Sequence, residues 1–181
     1  MMQSPDVTKI EECNVKIKRE ALVSEYIEEA LLLLLEKKEY KAITISEICQ
    51  KAGVTRMSFY RNFESKEDIL RRWMKSITDS FIESSGISYR TDSLRTYIIK
   101  LFSHLWKYRD VCRILLHTGL IGLLKEQFDR AFLSVYHGVY DDYKSYFLSG
   151  GIFNVFLLWL EKGGTETPEN VADRTKDILV K

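Results

Sequence analysis

Proline is nearly absent from this 181-residue chain, and its two copies, Pro5 and Pro168, stand close to the ends. Nothing between them carries the ring clash that breaks a helix interior, so a chain built from helices is the natural expectation. Cysteine is also scarce: Cys13, Cys49 and Cys112 are odd in number and widely scattered. They lack the paired spacing of a disulfide framework or a structural zinc site and suit a reducing, cytoplasmic setting. Long apolar runs are missing too. Ala30 to Leu35 falls far short of the ~20 residues a bilayer requires and is flanked by Glu28, Glu29, Glu36 and Lys37. The second lipophilic stretch, Tyr146 to Leu160, is interrupted by Ser149, Gly150, Gly151 and Asn154. Both read as helices buried in protein, with no membrane partner. Residues 1–13 carry Asp6, Glu11 and Glu12 without the apolar core of a secretory signal, and read as a flexible N-terminal tail.

Net charge is only +1, which does not by itself announce a polyanion partner. Its distribution is permissive: Lys and Arg outnumber Asp and Glu by 13 to 10 from Asn14 to Lys75, and are level at 13 to 13 from Ser76 onward. What the chain does have is apolar content, 45% of residues, enough to bury a core in one domain or two small ones.

The apolar residues recur at helical spacing. Ile17, Ala21, Val23, Ile27, Ala30, Leu31 and Leu34 predict a first helix from Asn14 to Lys38, with Lys37 and Lys38 where the helix dipole favours cations. Thr44 stands three residues before Glu47, a capping-box signature that opens a second helix through Cys49 and Lys51. Gly53 tolerates a left-handed backbone and permits a sharp turn before Thr55 caps a short third helix. Ser65 and Asp68 repeat the capping logic for a fourth, whose Ile69, Leu70, Trp73, Ile77 and Phe81 form one stripe and which Gly86 ends. Further helical segments follow: Leu94 to Leu105, Ile114 to Phe132, Tyr143 to Leu160, and a last helix opened by Thr167 and Pro168 that carries Val171, Ile178 and Leu179. About nine helices are expected, with no strand-period alternation, internal repeat or low-complexity linker. The one candidate domain boundary in this pattern lies within or just after helix four.

The stretch from Ile43 to Glu67, ITISEICQKAGVTRMSFYRNFESKE, closely resembles the DNA-binding region of TetR-family repressors. The match includes the glycine turn, the Phe59-Tyr60 pair, Phe63 and the Ser65-Lys66 opening of helix four, and it covers about the first 70 residues. The resemblance implies an all-α fold: residues 14–64 a three-helix domain with a helix-turn-helix, residues 65–181 a helical regulatory and dimerisation domain. Ile48, Ala52, Val54 and Phe63 are then packing residues. A recognition helix presents its N-terminal residues to base edges, which points to Thr55, Arg56, Met57, Ser58 and Arg61. Arg56 is the best base reader, because guanidinium can donate two bonds to guanine. Thr44, Thr55, Tyr60 and Lys66 are placed for phosphates. Two positions depart from relatives: Met57 stands where many have a small residue, and Asn62 where an aromatic or histidine is common.

The partners so implied are double-stranded DNA, a second copy of the chain and a small-molecule effector. The homodimer interface is expected on Asp142–Lys162 and Pro168–Lys181, with Tyr143, Phe147, Gly150, Gly151, Asn154, Leu158 and Trp159 supplying an apolar, close-packing face. An effector pocket is expected between Leu94 and Tyr140, with Phe102, Trp106, Leu116, His117, Leu120, Phe128 and Tyr136 as lining candidates. His104, His117 and His137 are too irregularly spaced for a metal site. Cys112 and His117 lack the third orienting group of a catalytic set, and no glycine-rich phosphate loop is present. Neither enzyme activity nor a cofactor is expected. The function implied is a ligand-responsive repressor on a palindromic operator. The alternative is an activator of the same architecture controlled by a protein partner, as some relatives near dihydroxyacetone kinase genes are.

Overall fold

The computed structural model describes residues 7–87 and 92–175, with side chains described from Ala21 onward. Nine α-helices and two 3-10 turns account for the described residues: α1 (Val7–Leu35), a turn at Tyr40–Ala42, α2 (Ile45–Ala52), α3 (Arg56–Asn62), α4 (Lys66–Ser84), α5 (Leu94–Leu105), a turn at Trp106–Tyr108, α6 (Arg109–His117), α7 (Ile121–Tyr136), α8 (Asp142–Glu161) and α9 (Pro168–Thr175). Among these residues no strand forms, only an isolated bridge between His137 and Tyr140. Two compact units result, Met1–Leu70 and Arg71–Lys181, and the division falls inside α4.

In the first unit the local rules act as the sequence suggests. Thr44 and Glu47 form a complete capping box at the start of α2, and Gly53 ends that helix at φ 67°. Its N–H, with that of Val54, closes onto carbonyls of the last turn, which only a left-handed residue permits at little cost. Thr55 then caps α3 by accepting from the Ser58 N–H at 3.1 Å, and Ser65 accepts from the Asp68 N–H at 3.1 Å. Helix α1 packs on both α2 and α3. The core is Ile27, Ala30, Leu31, Leu35, Ile48, Phe59 and Phe63, all buried. Three details differ from expectation. Helix α1 begins at Val7 and ends at Leu35, short of Lys37 and Lys38. Its inward seam uses Leu35, with Leu34 only half-buried and Ala21 exposed, because positions 27, 31 and 35 repeat every four residues. Ile17 lies outside the described side chains.

The second unit is a helical layer structure with an aromatic interior. Helix α5 packs on α9, α7 on α8, and α6 on both α7 and α8. Trp73, Ile77 and Phe81 of α4 are buried, as are Ile98, Leu101 and Leu105 of α5. Helix α8 buries Leu148, Ile152, Phe156 and Trp159 along one face. Trp159 lies against Phe102 and Phe156, and its indole N–H donates to the Glu166 carbonyl at 2.9 Å. Gly86 sits at φ 58° just beyond α4, and Thr167 accepts from the Asn170 N–H to start α9. The expected contributions of Ile178 and Leu179 lie outside the described residues. No helix among the described residues is long and apolar enough to cross a membrane.

Candidate nucleic-acid interface

The buried Phe59 is the pivot of α3: it meets Phe63 at 6.2 Å between ring centroids and fixes which side of the short helix faces inward. The opposite side is therefore outward. Arg56, Met57 and Arg61 are exposed, Met57 by 75%, and Tyr60 by 53%. Among the described residues no hydrogen bond or ion pair engages Arg56 or Arg61, so both guanidinium forks are open to a ligand. The Tyr60 ring stands edge-on against Phe59 at 5.3 Å, which aims the ring without burying it. Ser58 is half-buried. Thr55 is exposed; its oxygen caps α3, and its own proton has no acceptor among the described residues.

Two of the residues expected at phosphates are engaged within the protein. Thr44 is exposed, but its hydroxyl accepts from the Glu47 N–H at 3.2 Å and donates to the Glu47 carboxylate at 2.9 Å, so its one proton is taken by the capping box. Lys66 is half-buried, and its ammonium donates to the carbonyls of Tyr40 at 2.6 Å and Ile43 at 2.7 Å. The same ammonium lies 4.3 Å from the Tyr40 ring centroid. Lys66, expected at a phosphate, instead opens α4 beside the α1–α2 turn, where its ammonium is engaged by the Ile43 carbonyl and by the Tyr40 carbonyl that also accepts the Ile43 N–H.

Asn62 acquires a structural role that spacing did not reveal. Its carboxamide oxygen accepts from the Ser24 hydroxyl of α1 at 3.1 Å, and its NH2 donates to the Ser58 carbonyl at 2.8 Å. It ties the end of α3 to α1. Around the interface, Glu47 pairs with Lys38. That hydrogen bond, followed by those from Thr44, holds the Glu47 carboxyl down to about 2. Burial pushes the Cys49 thiol above its ordinary value, against the opposing field of Arg56.

The second unit holds a cleft walled by Ile77, Thr78, Phe81 and Ile82 of α4 and by Tyr97, Leu101, His104, Phe128, Phe132 and Phe156 from α5, α7 and α8. Only about 30 Å³ inside it is open to the centre of a water molecule. Its lining is apolar apart from Thr78, Tyr97 and His104. The His104 ring is bonded to the Ile77 carbonyl at 3.0 Å, and burial lowers its pKa. Of the expected lining residues, Phe128 belongs to this cleft and Phe102 to a separate recess with Phe147, Gly151 and Ile152. Trp106, Leu116, His117, Leu120 and Tyr136 line none of the cavities described, and His117 is exposed. Tyr136 is buried, stacked between Phe132 and Tyr140, a core position. His104, missed by the apolar-pocket argument, is legible in the sequence only as a histidine at helical spacing from Leu101 and Leu105.

Along α8, Tyr143, Phe147, Gly151, Asn154 and Leu158 form one exposed row at spacings of three and four, with Gly150 half-buried at its edge. Trp159 is corrected from this set: it is 3% exposed and belongs to the aromatic interior. Among the described residues no group of three metal-ligating side chains comes together.

A glycine-turned pair of helices whose second member projects arginines without a partner among the described residues has the form of a helix-turn-helix DNA-binding domain. A family model for bacterial regulatory proteins of the tetR family matches residues 27–72. Over those residues the chain carries the DNA-binding domain of tetR-family regulators. It is 22% identical over 171 residues to an uncharacterized HTH-type transcriptional regulator, YxbF, of Bacillus subtilis strain 168. That match takes in 84% of this chain and 43% of the relative, so the chain spans less than half of that protein's length. Among solved structures it shares its fold with a TetR transcriptional regulator from Streptococcus agalactiae 2603V, with TM-score 0.68 and 19% identity over 93% of this chain and 99% of that one. It also resembles the dihydroxyacetone kinase operon activator DhaS, with TM-score 0.62 and 15% identity over 87% of this chain and 93% of that one. A third likeness is to the fatty acid degradation regulator FadR from Bacillus halodurans, with TM-score 0.57 and 15% identity over 87% and 94%.

Proposed function

We propose that the chain is a homodimeric, effector-responsive repressor that binds a palindromic operator in the cytoplasm. Residues 14–64 form its DNA-binding part and residues 65–181 its regulatory and dimerisation part. The observation that carries this reading is α3, where Arg56, Met57, Tyr60 and Arg61 project from a helix whose orientation is fixed by the buried Phe59 and Phe63. Arg56 reads guanine in the major groove, Met57 offers its thioether to a thymine methyl, and Thr55, Tyr60 and Arg61 set the docking on phosphates. The exposed row on α8 joins two copies, so that two α3 helices address half-sites one or more turns apart. An effector entering the α4–α8 cleft favours a second conformation to the extent that it binds that conformation more tightly.

The test is a mobility-shift titration on the DNA upstream of the protein's own gene, across a salt series and with candidate effectors. Saturable binding of a dimer to one site, weakening steeply with salt, supports the reading. Salt-insensitive failure on every DNA overturns it. A second reading, an activator governed by a protein partner, is favoured by the narrowness of the cleft and by the fold likeness to the activator DhaS. It predicts that no small molecule shifts DNA affinity.

A further inference from the structure

We propose that Lys66 is a positioning residue of the DNA-binding unit, which acts by holding the α1–α2 turn and does not neutralise a phosphate itself. The inference rests on the reading that α2 and α3 face DNA. Between α1 and α2 the chain makes a single 3-10 turn, Tyr40–Ala42, with no side-chain cap. The Tyr40 carbonyl closes this turn by accepting the Ile43 N–H at 3.2 Å, and the Lys66 ammonium adds a second bond to it and one to the Ile43 carbonyl beyond the turn. Two of the three ammonium protons are thereby taken, and the Tyr40 ring faces the same cation.

The peptide joining Ile43 to Thr44 is held at both polar ends: its carbonyl oxygen by Lys66 and its N–H by the Glu47 carboxylate at 2.9 Å. Glu47 is in turn paired with Lys38. The first residue of α4 and the segment just after α1 thus clamp the point where α2 begins. Without Lys66 the Ile43 carbonyl would lose this partner and the Tyr40 carbonyl would keep only the Ile43 N–H, so the entry angle of α2 would rest on the short turn and the capping box. Lysine suits the position because its compact charge fits between two oxygens.

The test separates clamp from contact by the salt dependence of operator binding. A cation that neutralises a phosphate releases counterions, so removing it lowers the slope of log affinity against log salt by about one unit. Lys66→Met is expected to weaken binding about three- to tenfold, the cost of re-ordering one turn on the DNA, with the slope unchanged. Lys66→Arg, which keeps a donor able to reach both carbonyls, is expected to restore most of the loss. The amides of Ala42 and Ile43 should exchange faster in Lys66→Met. A fall of about one unit in slope, or unaltered affinity, overturns the proposal. Should Lys66→Met not fold, Tyr40→Leu, which removes the ring facing the ammonium, must show the same signature of weaker binding at constant slope; otherwise the proposal fails. Arg61→Ala serves as the contrast, since this unpartnered cation should lower the slope. If Arg61→Ala and Arg56→Ala both leave binding intact, the placement of α3 on DNA fails, independently of the Lys66 result.

Discussion

Replacing Gly53 with alanine isolates the energetic cost of the left-handed turn between α2 and α3. The residue sits at φ 67° and ψ 30°, and a Cβ built there meets no atom within 4 Å. Neither overlap nor repacking therefore enters. What remains is the backbone cost of a left-handed L-residue, about 1–2 kcal/mol. Alanine offsets about 0.4–1 kcal/mol of this by restricting the unfolded chain. The net expectation is a loss of about 1 kcal/mol, or roughly fivefold more frequent opening of the unit. Native-state hydrogen exchange of the Ile48 and Phe59 amides, which bond to the Thr44 and Thr55 carbonyls, reads this directly. Gly53→Asn should fall between glycine and alanine, since asparagine enters the left-handed region more readily. A loss above about 3 kcal/mol, beyond anything the backbone alone supplies, would show that the added methyl meets something. No loss at all would show that the turn does not need its positive φ.

Three further expectations follow from the same structure. Arg56→Ala should reduce discrimination between operator and shuffled duplex by about 1–3 kcal/mol, in a competition titration, while non-specific binding survives; undiminished discrimination would remove Arg56 from base reading. Phe147→Glu together with Leu158→Glu changes side chains that are 66% and 49% exposed, so the fold should hold to within about 0.5 kcal/mol per site while sedimentation shows a monomer; a persisting dimer would move the interface off this row. Glu47, held down to about 2 against an ordinary 4.5, stabilises α2 fully above pH 4.5 and loses that support as pH falls through 2. Acid titration followed by exchange of the α2 amides should show this, and Glu47→Gln should flatten it; an unchanged profile in the variant would assign the acid sensitivity elsewhere.

Interactions between near neighbours in the chain are legible in the amino-acid order itself. The capping box of Thr44 and Glu47, the caps at Thr55 and Ser65 and the turn at Gly53 each depend on residues three or four apart, whose meeting is dictated by helix geometry. Helical period likewise marks Ile77 and Phe81 as inward-facing, and the resemblance does so for Ile48 and Phe63. The resemblance carried by Ile43 to Glu67 singles out α3 for the same reason, since a contiguous motif is a local signal.

Tertiary structure decided whatever depended on distant partners. Lys66 reads as a free cation in the sequence, yet its oxygens lie 26 and 23 residues upstream. Asn62 finds Ser24 across 38 residues. Trp159 and Leu158 are adjacent and both apolar, but one is buried against Phe102 while the other is exposed, because successive helical positions differ by about a quarter turn. The cleft shows the same limit: of the seven expected lining residues Phe128 alone lines it and Phe102 lines a separate recess, since helical period says that a residue faces inward but not which neighbours share the space. Periodicity is a property of one helix, whereas a site is a property of several.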